Sequence, residues 1–300
     1  MEELTPTETS YFSQPAAGLD PRLFRDNKLI PKVRNSILQI LLTHLGSKYN
    51  GSSGWAKAWL AGSGVSFSWA AHREPADLDC LVGVDFARFR ESNMDFAGLS
   101  NKEIAQMLNE GFSEQLHPVT KEFMGSFELT FYVNQRAEIV ELKPYAAYSL
   151  TYDDWTVFPQ AVGIQENPEW EPSVERDRAA TVEILGRYAK AMSKLESSGV
   201  DALRVNAKTE LKLAMQQATA LYEDIHSGRK VAFSDLGSGY ADYHNYRWQA
   251  GKRSGAVQAL KRLKESQELS EKEFAQSTYG TELPSASVLI RRAAAQRANR

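Results

Sequence analysis

Apolar positions change their period near residue 160, and that change sets the expected architecture. Residues 1–30, rich in Pro, Thr, Ser and Asp and without a sustained period, predict an extended lead-in. From Pro31, which suits a first helical turn, Val33, Ile37, Ile40, Leu41 and Leu45 recur at helical spacing and predict a helix stopped by Gly46. Residues 49–54 read as a loop by their glycines. The apolar runs Ala56–Ala61, Asp77–Val84 and Phe127–Val133 read as strands, with further strands at Glu138–Leu142 and within Tyr148–Val157. Between them, residues 101–115 read as a helix capped by Ser100 or Asn101. Beyond the proline-bearing stretch 159–173, Val182, Leu185, Ala189 and Met192 form one helical stripe. Leu211, Met215, Ala218, Tyr222 and Ile225 form a second, Tyr246–Leu263 reads as a third helix, and Ser285–Ala298 as a last, basic one. No internal repeat is visible. The pattern predicts an α/β (α+β) protein: a strand-rich unit to about residue 160, then a mainly helical one.

Composition narrows the class. The 300 residues are 42% hydrophobic and 24% charged, which excludes a disordered tail, a collagen-like repeat and a disulfide scaffold. The single cysteine, Cys80, forms no internal disulfide and no Cys-based zinc site. No apolar run approaches the ~18 residues of a membrane span, and the acidic, polar start MEELTPTETS does not read as a secretory signal. The expectation is a soluble cytoplasmic protein. From Arg247 to Arg300, eleven Lys and Arg stand against five Glu, whereas the preceding residues hold 24 basic and 33 acidic side chains. A basic C-terminal part suits a phosphate-rich ligand; solvated helix faces are the plainer reading of the same charges.

Candidate chemistry concentrates in residues 58–86. A strand ends in Gly62-Ser63, thirteen residues follow, and Asp77-Leu78-Asp79 opens the next strand. Alternation places Asp77 and Asp79 on one face, roughly 7 Å apart along the strand, with Leu78 and Cys80 towards the core. Two such carboxylates serve a pair of divalent ions held ~3.5–4 Å apart for in-line phosphoryl displacement. Hard oxygen ligands suit Mg²⁺, or Mn²⁺. Glycine at 62 lets the backbone approach a ligand, and the Ser63 turn presents N–H groups and a hydroxyl to phosphate. Gly-Ser-Gly alone marks an ordinary loop, and Asp-x-Asp alone a turn or solvated face; their order and spacing give them meaning.

In that order and spacing the segment resembles the nucleotidyltransferase superfamily that includes DNA polymerase β, through Leu60-Ala61-Gly62-Ser63 and Asp77-Leu78-Asp79-Cys80. The run Ala137–Tyr145 resembles the acid-x-x-Pro segment of the oligoadenylate synthetase and cyclic-oligonucleotide synthase branch, which places a third carboxylate on a neighbouring strand. Strand alternation favours Glu141 over Glu138, because Val140 and Leu142 share a face with Glu138. The resemblance implies a mixed-sheet core over residues 31–160 and a helical domain over 161–300 that closes over the nucleotide. It implies transfer of a nucleoside monophosphate from a nucleoside triphosphate to an acceptor hydroxyl, nucleotide or RNA being favoured, with release of pyrophosphate. Asp77, Asp79 and Glu141 would then hold the metal and carry catalysis, while Gly62 and Ser63 anchor the phosphates. The aromatic-rich run Gly239–Gln249, followed by Lys252 and Arg253, offers stacking faces and cations, with Lys252 the choice for the triphosphate. The alternative for that run is helix packing, and His72 and Arg73 before the aspartates are further candidates for the cleft. A catalytically silent nucleotide- or RNA-binding module is the alternative function on the same scaffold, and a structural α/β protein a third.

Overall fold

The computed structural model describes residues 4–6, 12, 15–69, 76–134, 144, 146–160, 167–234, 236–279 and 288–290. The chain divides into two units, one built from residues 13–163 and 284–300, the other from 1–12 and 164–283. The fold is α+β: a mixed five-stranded sheet in the first unit and long helices in the second.

The first unit opens with a small hairpin, β1 (Phe24–Arg25) and β2 (Lys28–Leu29). Its turn residues Asp26 and Asn27 both take positive φ, 51° and 59°, the geometry of a tight hairpin whose twist matches its strands. Part of the expected lead-in is therefore core: Leu23, Phe24 and Leu29 are buried, and Phe24 stacks on Trp155. Helix α1 (Pro31–Gly46) buries Val33, Ile37, Leu41 and Leu45, while Ile40 of the expected stripe is only partly buried. A single turn, α2 (Ser52–Trp55), leads into β3 (Ala56–Ala61), which pairs antiparallel with β4 (Ala76–Val84).

From β4 the chain crosses over through α3 (Phe86–Ser92), α4 (Asn101–Gly111) and a short α5 (His117–Thr120) before β5 (Phe127–Asn134) pairs parallel with β4. A parallel partner requires such a long connection. Ser100 caps α4 in a reciprocal box with Glu103, and one wider turn, Phe112–Leu116, joins α4 to α5. Strands β6 (Ala147–Ser149) and β7 (Asp154–Val157) complete the sheet order β5-β4-β3-β6-β7. The expected edge strand at 148–157 is thus a hairpin. The expected strand at 138–142 lies outside the described residues.

The first face of the sheet, with Ala58, Leu60, Leu78, Cys80, Val82, Leu129 and Phe131, joins α1 and α4 in one apolar core. Side chains of the crossover also bond to the β5 backbone: Thr120 Oγ1 donates to Leu129 O (2.7 Å), and Val133 N donates to Asn109 Oδ1 (2.7 Å). Burial holds the Cys80 thiol far above its ordinary range, so it behaves as a small apolar group.

Tyr148, fully buried in this core, donates to Asp153 Oδ1 at 3.0 Å. Burial and that carboxylate push its phenol up to about 12. Unfolding returns it to about 10, so its contribution is complete below pH 10 and is lost as pH rises from 10 to 12. Thermal unfolding against pH should show a shallower alkaline limb for Y148F than for the native chain; identical limbs would assign the loss to other groups.

In the second unit, α6 (Glu171–Ser197) and α7 (Asp201–Ala232) run into α8 (Tyr243–Arg253) and α9 (Ala256–Tyr279). The α7 stripe matches the spacing, with Met215, Ala218, Tyr222 and Ile225 buried. On α6 the phase differs: Val182 is exposed, and Val174, Thr181, Ile184, Leu185 and Ala191 face inward. The third helix is two, because the chain turns at Gly255 with φ +80°, where a Cβ would collide with the Thr5 carbonyl. Arg247 ties three helices together, forking onto Asp177 at 2.6 and 2.9 Å and reaching Asp224 at 2.7 Å. Only residues 288–290 of the expected last helix are described, and they are helical. Among the described residues, no helix is long and apolar enough to cross a membrane.

Candidate functional site

The second face of the sheet carries the polar positions of the same strands. Asp77 and Asp79 on β4 stand half-buried on this face, while Leu78 and Cys80 are fully buried on the other. Alternation alone produces this split. Ala61 pairs with Asp79 in the antiparallel register, so β3 ends level with the aspartates, and the next residues turn across them.

That turn is built on glycine. Gly62 adopts φ 86°, ψ −164°, a conformation reached almost only by glycine. A Cβ there would lie 3.1 Å from Asp79 Oδ2, and one on Gly64 would collide with the carbonyl oxygen of Asp77. Ser63 starts a single tight turn, Ser63–Val65, whose carbonyl accepts from Ser66 N (3.0 Å) and from Ser66 Oγ (2.9 Å). Ser66 is fully buried, and its Oγ also accepts from Ser68 N (3.1 Å). The sequence reading missed this serine; its place after an apolar Val65 was the available signal. Residues of the former lead-in brace the same loop, Ala16 N donating to Phe67 O (2.7 Å) and Trp69 Nε1 to Gly18 O (2.8 Å).

Replacing Gly62 by Ala combines a backbone strain of about 1–3 kcal/mol with a methyl group against the Asp79 carboxylate. The expected result is a clear fall in thermal midpoint for G62A and little change for G98A, where a Cβ meets nothing within 4 Å. Equal midpoints for the two variants would show that the close approach at 62 carries no constraint.

The parallel neighbour β5 adds a second row of polar groups. Register pairs Asp77 with Glu128 and Asp79 with Thr130, so these side chains emerge side by side. Thr130 Oγ1 donates to Asp79 Oδ1 at 3.1 Å. Glu128 Oε1 lies 2.9 Å from His117 Nε2, which reaches in from α5. Tyr132, half-exposed, follows on the same face. Burial of its hydroxyl raises its phenol against the pull of the Thr130 hydroxyl, and the charges of Asp79, Asp77 and Glu128 raise it further. Beside the carboxylates sits a small apolar cluster of Trp59, Ala61 and Ala147 with Leu81 and Val157. The face therefore joins an acidic end to an apolar one. Glu128 was legible only as a polar position in FELTFYV; its apposition to Asp77 was not.

The remaining candidates are not seen on this face. Glu138, Glu141, His72 and Arg73 lie outside the described residues. Lys252 is half-buried in the last turn of α8, in the other unit. The aromatic run around it packs inward: Tyr246 is fully buried, bonded through its hydroxyl to Glu171 (2.6 Å) and to the Asn167 amide (3.1 Å), and Trp248 is nearly so. Arg253 lies over the Phe12 ring. Among the described residues, no group of three or more His, Cys, Asp or Glu side chains is placed to hold a metal ion. No family model, curated protein or solved structure matches this chain.

Proposed function

We propose that the chain is a metal-dependent nucleotidyltransferase, moving a nucleoside monophosphate from a nucleoside triphosphate to an acceptor hydroxyl. The observation that carries this reading is the Gly62–Gly64 turn lying against the aspartate strand, where a Cβ on Gly62 would stand 3.1 Å from the half-buried Asp79 carboxylate and one on Gly64 would collide with the Asp77 carbonyl oxygen. A turn that needed only to reverse the chain would not require two glycines at the aspartates.

The residues present fit a hard divalent cation in part. Asp77 and Asp79 are oxygen donors on one face, at a spacing of roughly 7 Å along the strand, and Glu141 or Glu138 would supply the third carboxylate. Mg²⁺ or Mn²⁺, when bound, neutralises phosphate charge and lowers the pKa of the attacking hydroxyl. The chain's own residues do the remaining work. The Gly62-Ser63 backbone, free of side-chain bulk at 62, approaches the polyphosphate and orients it. Thr130 fixes one oxygen of Asp79 and thereby its direction. Positioning and charge neutralisation supply most of the rate in such transfers. The acceptor favoured is a nucleotide or an RNA end.

The test is incubation of the protein with all four triphosphates, Mg²⁺ or Mn²⁺ and total RNA, with products read by mass spectrometry and pyrophosphate measured in parallel. Metal-dependent pyrophosphate release with a product heavier by one nucleotide supports the reading. Triphosphate binding without release would replace it by the silent binding module, and absence of binding would leave a structural role.

A further inference from the structure

We propose that Glu128, held by His117, is the group that takes the proton from the acceptor hydroxyl; this rests on the transfer reaction proposed above. Glu128 is the parallel-register partner of Asp77, and neighbouring strands lie only ~4.8 Å apart. Its carboxylate therefore rises from the sheet beside the Asp77–Asp79 pair. It does not join that pair in a three-acid group suited to a metal; one oxygen is engaged by His117 Nε2 at 2.9 Å. The two side chains are 23% and 30% exposed, open enough to meet a substrate and sheltered enough to hold one orientation.

An imidazole that donates Nε2–H to a carboxylate fixes the direction of that carboxylate. His117 itself is anchored, because the α5 turn that carries it is tied to β5 through Thr120 Oγ1 and Leu129 O. His117 is thus a positioning residue and Glu128 the proton acceptor. In the step, the acceptor O–H bond breaks and its proton passes to the Glu128 carboxylate. The acceptor oxygen forms its bond to the α-phosphorus. The bond from that phosphorus to the bridging oxygen breaks, and its electron pair leaves with pyrophosphate.

The experiment uses the full chain and compares E128Q, E128A, H117Q and H117A with the native protein. General-base catalysis contributes roughly 10²–10⁴-fold, so E128Q should lose about a hundredfold or more in kcat with KM for the triphosphate unchanged. Added formate should restore part of the activity of E128A, an effect that a structural role would not produce. H117Q, which keeps a donor near the Nε2 position, should lose less than H117A. Native-like kcat in E128Q, or a loss that appears in KM and thermal midpoint instead of kcat, overturns the assignment while leaving nucleotidyl transfer intact. If the native protein itself releases no pyrophosphate, the transfer reading fails, and this assignment falls with it.

Discussion

D77N and D79N should each abolish the proposed nucleotidyl transfer while the protein stays folded. Both aspartates sit half-buried on the second face, outside the apolar core formed by Leu78, Cys80 and Val82. Asn keeps the shape of each side chain and removes only the charge that a divalent cation needs. Losing one preorganised electrostatic contact in a transfer reaction costs roughly 10²–10³-fold, and losing a ligand of the proposed metal should cost at least that. D79N retains an oxygen to accept the Thr130 hydroxyl, now bonded to Asp79 Oδ1 at 3.1 Å, so its thermal midpoint should stay near that of the native chain. The decisive measurement is labelled-nucleotide transfer beside circular dichroism on the same samples. Transfer that persists in the D77N/D79N double variant would remove the site from this face.

A second large effect is expected on stability, at Arg247. This guanidinium is 12% exposed and forks onto Asp177, itself 15% exposed, while also reaching the exposed Asp224. The two carboxylates hold its proton more firmly than usual, with the Asp177 hydrogen bonds the larger cause. R247M leaves Asp177, largely sheltered where α6, α7 and α8 meet, without this counter-charge. Breaking a buried pair from one side costs about 3–5 kcal/mol, so denaturant midpoints followed by tryptophan fluorescence should fall steeply. Adding D177L to R247M should recover much of the loss, because the penalty is the stranded charge and not the absent attraction. A single variant as stable as the native chain would mean that water reaches Asp177 freely.

Much of the fold was legible because it is written in short-range spacing. Short apolar runs placed β3, β4 and β5, and period-two alternation sorted Leu78 and Cys80 from Asp77 and Asp79. The glycines at 62 and 64 were visible as a turn, although only the coordinates show that both are pressed against the aspartate strand. Helix phase was less secure: on α6 an apolar Val182 suggested one face, yet the buried position is its neighbour Thr181, whose hydroxyl bonds back to Asp177 O at 2.8 Å. A hydroxyl satisfied within its own helix can be buried, and hydrophobicity alone does not register that. The break at Gly255 was equally hidden, since a glycine inside an apolar stripe reads as tolerated until another segment closes on it.

By itself, then, the chain's order of residues determined which side of each strand is apolar, where the Gly-Ser bend falls, and that two carboxylates emerge together after it. These follow from neighbours two to four positions apart. Tertiary structure alone decided that β5 returns parallel to β4 with Glu128 level with Asp77, and that His117 swings in from α5 to hold it. Such pairings depend on where a long crossover sets the strand down, and register between distant strands is chosen by the whole core packing at once.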